Sequence, residues 1–182
     1  MTEYYVLWLK ILGKLKDFLH KMKRLVLLRH AKSSWDLNVS DKDRPLTEKG
    51  INCITMISVN SSNVLSGADL IFSSPANRAL HTSCIMINTL GLSFNKLVLK
   101  KELYTFELSK LLDFIYNISD DYNSVICVGH NPAFTEAISH LSKRDFIHLP
   151  TSAWAELNFS QTKWKNISDG KLKIGIPKEI LK

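Results

Sequence analysis

The chain has 182 residues, of which 45% are hydrophobic and 23% charged, a balance that fits one globular domain and excludes a disordered chain. The formal net charge of +7 favours anionic partners such as phosphorylated substrates, but no basic stripe with interleaved aromatic residues indicates nucleic-acid binding. The three cysteines, Cys53, Cys84 and Cys127, form no Cys-x-x-Cys pair, so they predict small buried side chains in a reducing, cytoplasmic compartment.

Residues 1–23 predict an amphipathic basic helix ahead of the domain. Apolar residues recur there at helical spacing, and Lys10 and Lys14 interrupt the apolar run too early for a membrane-spanning helix. Three alternatives stay open for this extension: a helix packed on the domain, a helix whose residues 1–21 lie on an anionic membrane surface, or a misassigned start. In the last case Met22 would begin the protein. The domain itself is expected at residues 24–182.

After the extension, apolar strands alternate with amphipathic helices. Strands are predicted at about 24–28, 68–72, 96–100 and 124–128, and a further pair at 155–159 and 172–176 should form a hairpin or add to the sheet edge. Helices are predicted at about 47–65, 75–90, 108–118 and 133–141. This alternation predicts a three-layer α/β/α sandwich with a mostly parallel central sheet.

Three residues mark expected turns of this fold. Thr47 is predicted to be an N-cap, and Pro75 is predicted in the first turn of the next helix. Gly129 is expected to let the backbone approach a ligand closely, because glycine has no Cβ.

Polar side chains follow three of the predicted strands. Arg29 and His30 end the first strand, Ser73-Ser74-Pro75 with Arg78 follows the second, and His130 follows the fourth. Because ligands of parallel sheets bind at the carboxyl ends of the strands, we expect these side chains to meet. Arginine forks suit phosphate oxygens, and histidine serves as nucleophile or proton carrier near neutral pH. The sequence therefore predicts a site for a doubly charged oxyanion.

The motifs that surround these residues follow one another in a specific order. They resemble the histidine phosphatase superfamily, with its phosphoglycerate-mutase-like fold, and within it the short SixA-type branch of phosphohistidine phosphatases. The segments that carry the resemblance are Leu28-Arg29-His30-Ala31-Lys32-Ser33, Asp43-Arg44-Pro45-Leu46-Thr47-Glu48-Lys49-Gly50, Ser73-Ser74-Pro75 with Arg78-Ala79, Glu102-Leu103-Tyr104, and Val128-Gly129-His130-Asn131-Pro132. Two positions depart from the usual pattern: Ala31 replaces a glycine after the histidine, and His81 occupies a variable place where we expect a structural or exposed side chain.

The resemblance implies roles for four residues. His30 would attack phosphorus and become a transient phosphohistidine, Arg29 and Arg78 would hold phosphoryl oxygens, and His130 would stabilise the transferring group. These groups supply the positive charge that Mg²⁺ supplies elsewhere, so neither a metal nor another cofactor is expected. His30 must be neutral to attack, and its cationic neighbours should lower its pKa.

Two further residues have alternative roles. Glu102 is a candidate general acid or a solvated carboxylate, and Arg44 is a candidate phosphate ligand at the pocket mouth or an ion-paired loop residue. The interval from Phe94 to Asn123 has room for one strand and one helix, which predicts a reduced lid and an open pocket. The expected substrate is phosphohistidine in a protein or a small phosphoester. The alternative is a phosphate-sensing or phosphoprotein-binding module without turnover.

Overall fold

The computed structural model describes Tyr5, Trp8, residues 22–145 and residues 147–181. The predicted N-terminal extension therefore lies outside the described residues, apart from Tyr5 and Trp8, which are helical and exposed. In the described part of the chain, no helix is long and apolar enough to cross a membrane.

A six-stranded sheet forms the centre of the domain. Its strands lie in the order β3-β2-β4-β1-β5-β6. The first four are mutually parallel, whereas β5 pairs antiparallel with β1 and β6 pairs antiparallel with β5, which confirms a mostly parallel sheet with a C-terminal addition at its edge. The strands are β1 (Arg24–Arg29), β2 (Leu70–Ser73), β3 (Leu97–Leu99), β4 (Ser124–Gly129), β5 (Trp154–Asn158) and β6 (Lys171–Gly175).

Helices cover both faces of the sheet, as a three-layer sandwich requires. They are α1 (Glu48–Asn60), α2 (Ser62–Leu65), α3 (Asn77–Thr89), α4 (Leu108–Tyr116), α5 (Ala133–Ser142) and α6 (Pro177–Ile180). The aliphatic run of β1 explains the arrangement, because side chains of a strand alternate between the two faces. Leu25 and Leu27 join the apolar core that contains α4 and α5, and Val26 and Leu28 join the core that contains α1 and α3. All four are fully buried.

Of three local predictions, the N-cap at Thr47 is confirmed, and those for the helix over 47–65 and for Pro75 are corrected. Thr47 is the N-cap of α1, and its hydroxyl accepts a hydrogen bond from Gly50 N at 3.0 Å. The single helix predicted over 47–65 is instead interrupted at Ser61, where α1 ends and α2 begins. Pro75 was expected inside the first turn of the next helix, but α3 begins at Asn77, after the extended residue Ala76.

Gly129 is also favoured by packing, which the sequence did not indicate. A Cβ at this position would lie 2.7 Å from Cζ of Phe134, so the ring of Phe134 in α5 occupies the space. Packing of α5 against the end of β4 therefore favours glycine here, and the predicted approach of a ligand to this backbone stays a prediction.

Lys23 belongs to the folded unit, one residue before the expected boundary. Its side chain is 1% exposed, and its ammonium donates hydrogen bonds to Asp120 O at 2.7 Å, Tyr122 O at 3.0 Å and Asn123 Oδ1 at 3.0 Å. Burial lowers the pKa of Lys23, and the neighbouring aspartates oppose that shift. The side chain thus ties the start of β1 to the turn that precedes β4.

The three cysteines are free thiols. Cys127, in β4, is fully buried as predicted, whereas Cys53 in α1 and Cys84 in α3 are only partly buried. Burial raises the pKa of the Cys127 thiol far above its ordinary value, which makes it an unreactive core residue.

Candidate active site

The carboxyl ends of β1, β2 and β4 lie side by side in the sheet and bring the predicted polar residues together. They open into a cavity of about 350 Å³. Its lining contains Arg29, His30, Arg78, His130 and Arg44, together with Lys32, Ser33, Trp35, Asp41, Phe106, Asn131 and Thr151. The convergence follows from topology, since parallel strands deliver their carboxyl ends to one edge.

The two ring nitrogens of His30 have different partners, a backbone oxygen for one and the side chain of Arg78 for the other. Its Nδ1 lies 2.8 Å from Ala31 O, which can only accept, so Nδ1 carries the hydrogen and Nε2 keeps its lone pair. Arg78 Nε donates to this Nε2 at 3.3 Å. The ring is 8% exposed. Nε2 is therefore the nitrogen available for attack on phosphorus.

The pKa of His30 is lowered from 6.5 to about 4. Burial is the main cause; the hydrogen bond to Ala31 opposes it, and the positive charges of Arg78, Arg29 and Arg44 add to it. The lowered pKa agrees with the expectation from sequence, although burial contributes more than the cationic neighbours. At neutral pH the ring is uncharged, as a nucleophile must be.

The loop that carries His30 is fixed to helix α3. Ala31 N donates to Thr82 Oγ1 at 2.9 Å, and the Thr82 hydroxyl donates to Arg78 O at 2.6 Å. Ala31 is fully buried, so its methyl group is accommodated where the family pattern has glycine. His81, next to Thr82, is exposed, which is one of the two alternatives left by the sequence.

The two predicted phosphate-binding arginines reach the cavity from different elements. Arg29 ends β1, and its Nη1 donates to Leu149 O at 2.9 Å, while its Nε is buried and has no partner among the described residues. Arg78 lies in the first turn of α3, where the helix N-terminus also favours an anion. The unpartnered Nε of Arg29 is a donor that an oxyanion could satisfy.

His130 faces His30, with ring centroids 5.1 Å apart. Its Nε2 lies 2.8 Å from Ser74 Oγ, and that hydroxyl oxygen also accepts a weaker bond from Ala76 N at 3.3 Å. The hydroxyl hydrogen is thus available to Nε2, which we assign as the acceptor, leaving the hydrogen of the ring on Nδ1. Nδ1 is buried and has no partner among the described residues, so it can donate to a phosphoryl oxygen.

The pKa of His130 is lowered to about 3, chiefly by burial, then by His30 and Arg78. The ring is therefore uncharged at neutral pH and can donate a hydrogen bond from Nδ1 without carrying a positive charge. Its surroundings are aromatic: the rings of Tyr104 and Phe106 lie 5.5 Å and 5.6 Å from it, centroid to centroid.

Asp41 is a site residue that the sequence analysis missed. Its carboxylate pairs with Arg44 Nη1 and with Arg78 Nη2, each at 2.9 Å, and accepts a hydrogen bond from Tyr104 Oη at 2.9 Å. The segment 31–44 contains three aspartates in a polar loop, and their composition does not show which one turns inward. The spacing of three residues between Asp41 and Arg44 was the available signal.

Arg44 lines the cavity and is also ion-paired in the loop, so both alternatives for it describe part of its setting. Its Nε donates to Ser34 O at 2.9 Å, its Nη2 to Ser33 Oγ at 2.7 Å, and its Cζ lies 3.2 Å from the ring centroid of Trp35. With each of its nitrogens already bonded to the protein, Arg44 primarily organises the loop.

Glu102 is not brought to this cavity. It is exposed in a short 3₁₀ helix (Lys101–Leu103) and lines a neighbouring cavity of about 550 Å³ with Lys100 and Lys110. The physical reason is that this 3₁₀ helix buries Leu103 in the core, which leaves the preceding residue facing solvent. Glu102 therefore does not line the cavity beside His30, which agrees with the alternative of a solvated carboxylate, and its role as general acid stays untested.

Together these residues offer one neutral nucleophilic nitrogen, two guanidinium groups and one neutral imidazole N–H around a small polar cavity. Such a set can bind a phosphoryl group, accept it on His30 and stabilise the charge of its oxygens during transfer.

Comparisons with known proteins agree with this geometry. The histidine phosphatase superfamily (branch 1) matches residues 25–105. An uncharacterized chloroplastic protein of Arabidopsis thaliana is 30% identical over 152 residues, which are 79% of this chain and 69% of the relative. A structure from Agrobacterium tumefaciens, described as a candidate phosphohistidine phosphatase SixA, is 28% identical, with a TM-score of 0.71, over 85% of this chain and 99% of that one.

A SixA protein histidine phosphatase complexed with tungstate has the same fold at 20% identity, with a TM-score of 0.73 over 87% of this chain and 99% of that one. The residues that the family model matches include Arg29, His30 and Arg78, and the structural matches cover a larger share of the chain than that model does. The chain therefore belongs to the histidine phosphatase superfamily and, within it, to the SixA-type branch.

Proposed function

We propose that this protein is a metal-independent phosphatase that uses His30 as its nucleophile and forms a phosphohistidine intermediate. One observation carries the proposal: Nε2 of a neutral His30 is unprotonated and lies 3.3 Å from Arg78 Nε, beside the unpartnered donors of Arg29 and His130. A nucleophile and its oxyanion donors are thus already assembled.

In the first step, His30 Nε2 attacks phosphorus and a P–N bond forms. The bond between phosphorus and the leaving group breaks, and the leaving group departs with the electron pair and takes a proton from solvent. Arg29, Arg78 and the Nδ1–H of His130 donate to the three phosphoryl oxygens as their charge redistributes. The Nδ1–H of His30 stays bonded to Ala31 O and stabilises the positive charge that the ring acquires.

In the second step, water attacks the phosphorus of phosphohistidine. The P–N bond breaks and its electron pair returns to Nε2. The attacking water gives up a proton to solvent, and inorganic phosphate leaves. His30 is then neutral again, and Arg78 Nε resumes its bond to Nε2. The positive charge of Arg29 and Arg78 performs the neutralisation for which other phosphoryl-transfer enzymes use Mg²⁺.

The substrate we propose is phosphohistidine in a protein or a small phosphoester. The mouth of the cavity supports access by a bulky substrate, since Trp35 and Phe106 line it and are 76% and 45% exposed. Only one α-helix, α4, lies between β3 and β4, so the chain supplies no helical insertion there to enclose a small substrate.

We also propose that residues 24–182, together with the buried Lys23, form the phosphatase domain and that the protein works in the cytoplasm. The three free thiols support a reducing compartment. Fractionation of cells that express a tagged full-length chain tests this assignment.

The proposed function is tested with a generic aryl phosphate and rapid quenching. The wild-type protein should release the phenol in a burst and hold an acid-labile, base-stable phosphoryl group, with or without EDTA. His30→Ala should abolish both signals while the thermal unfolding midpoint stays near that of the wild type.

If the wild type binds vanadate yet neither turns over nor becomes phosphorylated on aryl phosphate, phosphohistidine protein and sugar phosphate alike, the protein is a phosphate-sensing module and the proposal is wrong. Comparing kcat/KM across that panel then ranks the substrate classes.

A further inference from the structure

We propose that Asp41 is a positioning residue, which holds the guanidinium of Arg78 so that its Nε edge faces His30 and the transferring phosphoryl group. This inference rests on the function proposed above. It concerns a residue whose side chain lines the cavity and bonds Arg78, Arg44 and Tyr104.

The contacts of Arg78 divide its guanidinium into two edges. On one edge, Nη2 pairs with Asp41 Oδ2 at 2.9 Å and Nη1 donates to the backbone oxygen of Asp41. On the other edge, Nε donates to His30 Nε2 at 3.3 Å. Asp41 therefore accepts hydrogen bonds from the guanidinium through both its carboxylate and its backbone oxygen. A planar fork held in this way cannot rotate about its long side chain, and its Nε edge stays directed at His30.

Asp41 is itself fixed by two further groups. Its Oδ1 accepts from Arg44 Nη1 at 2.9 Å, and its Oδ2 also accepts from Tyr104 Oη at 2.9 Å. Arg44 is in turn anchored by the stack on Trp35. The carboxylate thus stands at the centre of a network that joins the loop after β1 to the first turn of α3.

The ionisation state of Asp41 suits this task and does not suit proton transfer. Burial raises the pKa of its carboxyl, but the hydrogen bonds from Tyr104, Arg44 and Arg78 outweigh burial and lower the pKa to about 2. At neutral pH the group is a carboxylate that only accepts hydrogen bonds, so it cannot donate a proton to a leaving group.

A charged positioning residue beside an anion site has a recognisable kinetic signature. Loss of the carboxylate charge frees Arg78 to leave the attack geometry, which lowers kcat. The same loss removes one negative charge from the surroundings of a phosphate dianion, so ground-state binding of an anion should not weaken. A residue that merely supports the loop would instead raise KM together with any loss of stability.

The test compares Asp41→Asn with Asp43→Asn. Asp43 is a matched control, because it lies two positions away in the same 3₁₀ helix and its carboxylate bonds only Ser40 Oγ among the described residues. With an aryl phosphate, we expect Asp41→Asn to lower kcat about tenfold or more, the scale of a lost charge-assisted hydrogen bond. Its KM and its inhibition constant for inorganic phosphate, a ground-state anion, should stay equal to the wild-type values or decrease. Asp43→Asn should match the wild type in all three.

A wild-type kcat in Asp41→Asn, or a rise in KM and in the inhibition constant for inorganic phosphate, overturns the positioning role. Tyr104→Phe provides a second variant that removes one hydrogen bond from Asp41 and keeps the aromatic ring. It should lower kcat by a smaller factor with KM unchanged, and an unaltered kcat here also counts against the network. If the wild type itself forms no phosphoenzyme, the proposed function fails, whereas a phosphorylated wild type with an equally fast Asp41→Asn variant refutes only the role of Asp41.

Discussion

Replacement of Ser74 by alanine tests how the protein prepares His130. Ser74 is fully buried, and its hydroxyl is the group bonded to His130 Nε2, at 2.8 Å. With the hydroxyl present, Nε2 accepts and Nδ1 keeps its hydrogen for a phosphoryl oxygen. Without it, the neutral ring loses the interaction that selects this tautomer, and the alternative tautomer presents a lone pair to an anion.

The size of the effect follows from burial. His130 is 1% exposed, so water does not readily replace the missing donor at Nε2. A buried polar group without a partner costs about 1–3 kcal/mol. Since about 1.36 kcal/mol corresponds to a factor of ten in rate, kcat/KM of Ser74→Ala should fall by about 5-fold to 150-fold.

The assay is steady-state hydrolysis of an aryl phosphate by folded variants with matched thermal midpoints. Ser73→Ala is the control, because Ser73 is the adjacent residue, is equally buried, and donates to Ser74 O rather than to a catalytic group. A kcat/KM of Ser74→Ala within twofold of the Ser73→Ala value would refute the tautomer argument. Ser74→Thr, which keeps a hydroxyl, should recover part of the loss.

Four further predictions concern the pH dependence of activity, the pH dependence of stability, Lys23 and Glu102. Because burial lowers the pKa of His30 to about 4, kcat/KM should stay level on acidification through pH 6.5 and decrease only near pH 4. A decrease in kcat/KM around pH 6.5 would contradict the role of His30 as a buried nucleophile. The unfolded chain takes up this proton near pH 6.5 and the folded chain only near pH 4, so the thermal midpoint should decrease progressively between those values. Lys23→Met should lower the free energy of unfolding by about 2 kcal/mol or more in urea titrations, because three oxygens lose a buried donor. An unchanged urea midpoint would show that water replaces the lysine as their hydrogen-bond donor. Glu102→Gln should leave kcat within twofold of the wild type, and a large loss would restore this exposed carboxylate as the acid.

The sequence predicted those parts of the site that depend on residues adjacent to one another in the chain. Four aliphatic residues followed by Arg29 and His30 specify a strand buried on both faces and a polar end, and the same reasoning locates His130 after β4. Once alternation with helices indicates a parallel sheet, topology alone places these ends together. The role of His30 as nucleophile was implied by the resemblance to the histidine phosphatase superfamily rather than by these local properties, and it stays a prediction.

The parts that were missed depend on contacts between segments distant in sequence. Asp41 is one aspartate of a polar loop, and only the stack of Arg44 on Trp35 and the approach of α3 determine that its carboxylate reaches Arg78. The role of Gly129 likewise depends on where the ring of Phe134 packs. A pattern of residue types can identify such positions as polar or small, but not the partner that makes them necessary.

The charges that line the cavity bear on how fast substrates with different leaving groups should react. Among the residues described as lining it, Asp41 is the sole carboxylate, and its pKa of about 2 keeps it ionised. In the mechanism proposed above, the leaving group therefore departs without a protein acid and gains its proton from solvent. Rates of phosphoenzyme formation should decrease steeply as the pKa of the leaving phenol rises across a series of aryl phosphates, and alkyl phosphates should react slowest. Phosphohistidine meets this requirement, because the distal nitrogen of its imidazole can take a proton from water before the P–N bond breaks. A rate independent of leaving-group pKa, with chemistry shown to be rate-limiting by single-turnover measurements, would mean that a proton donor does act in the site.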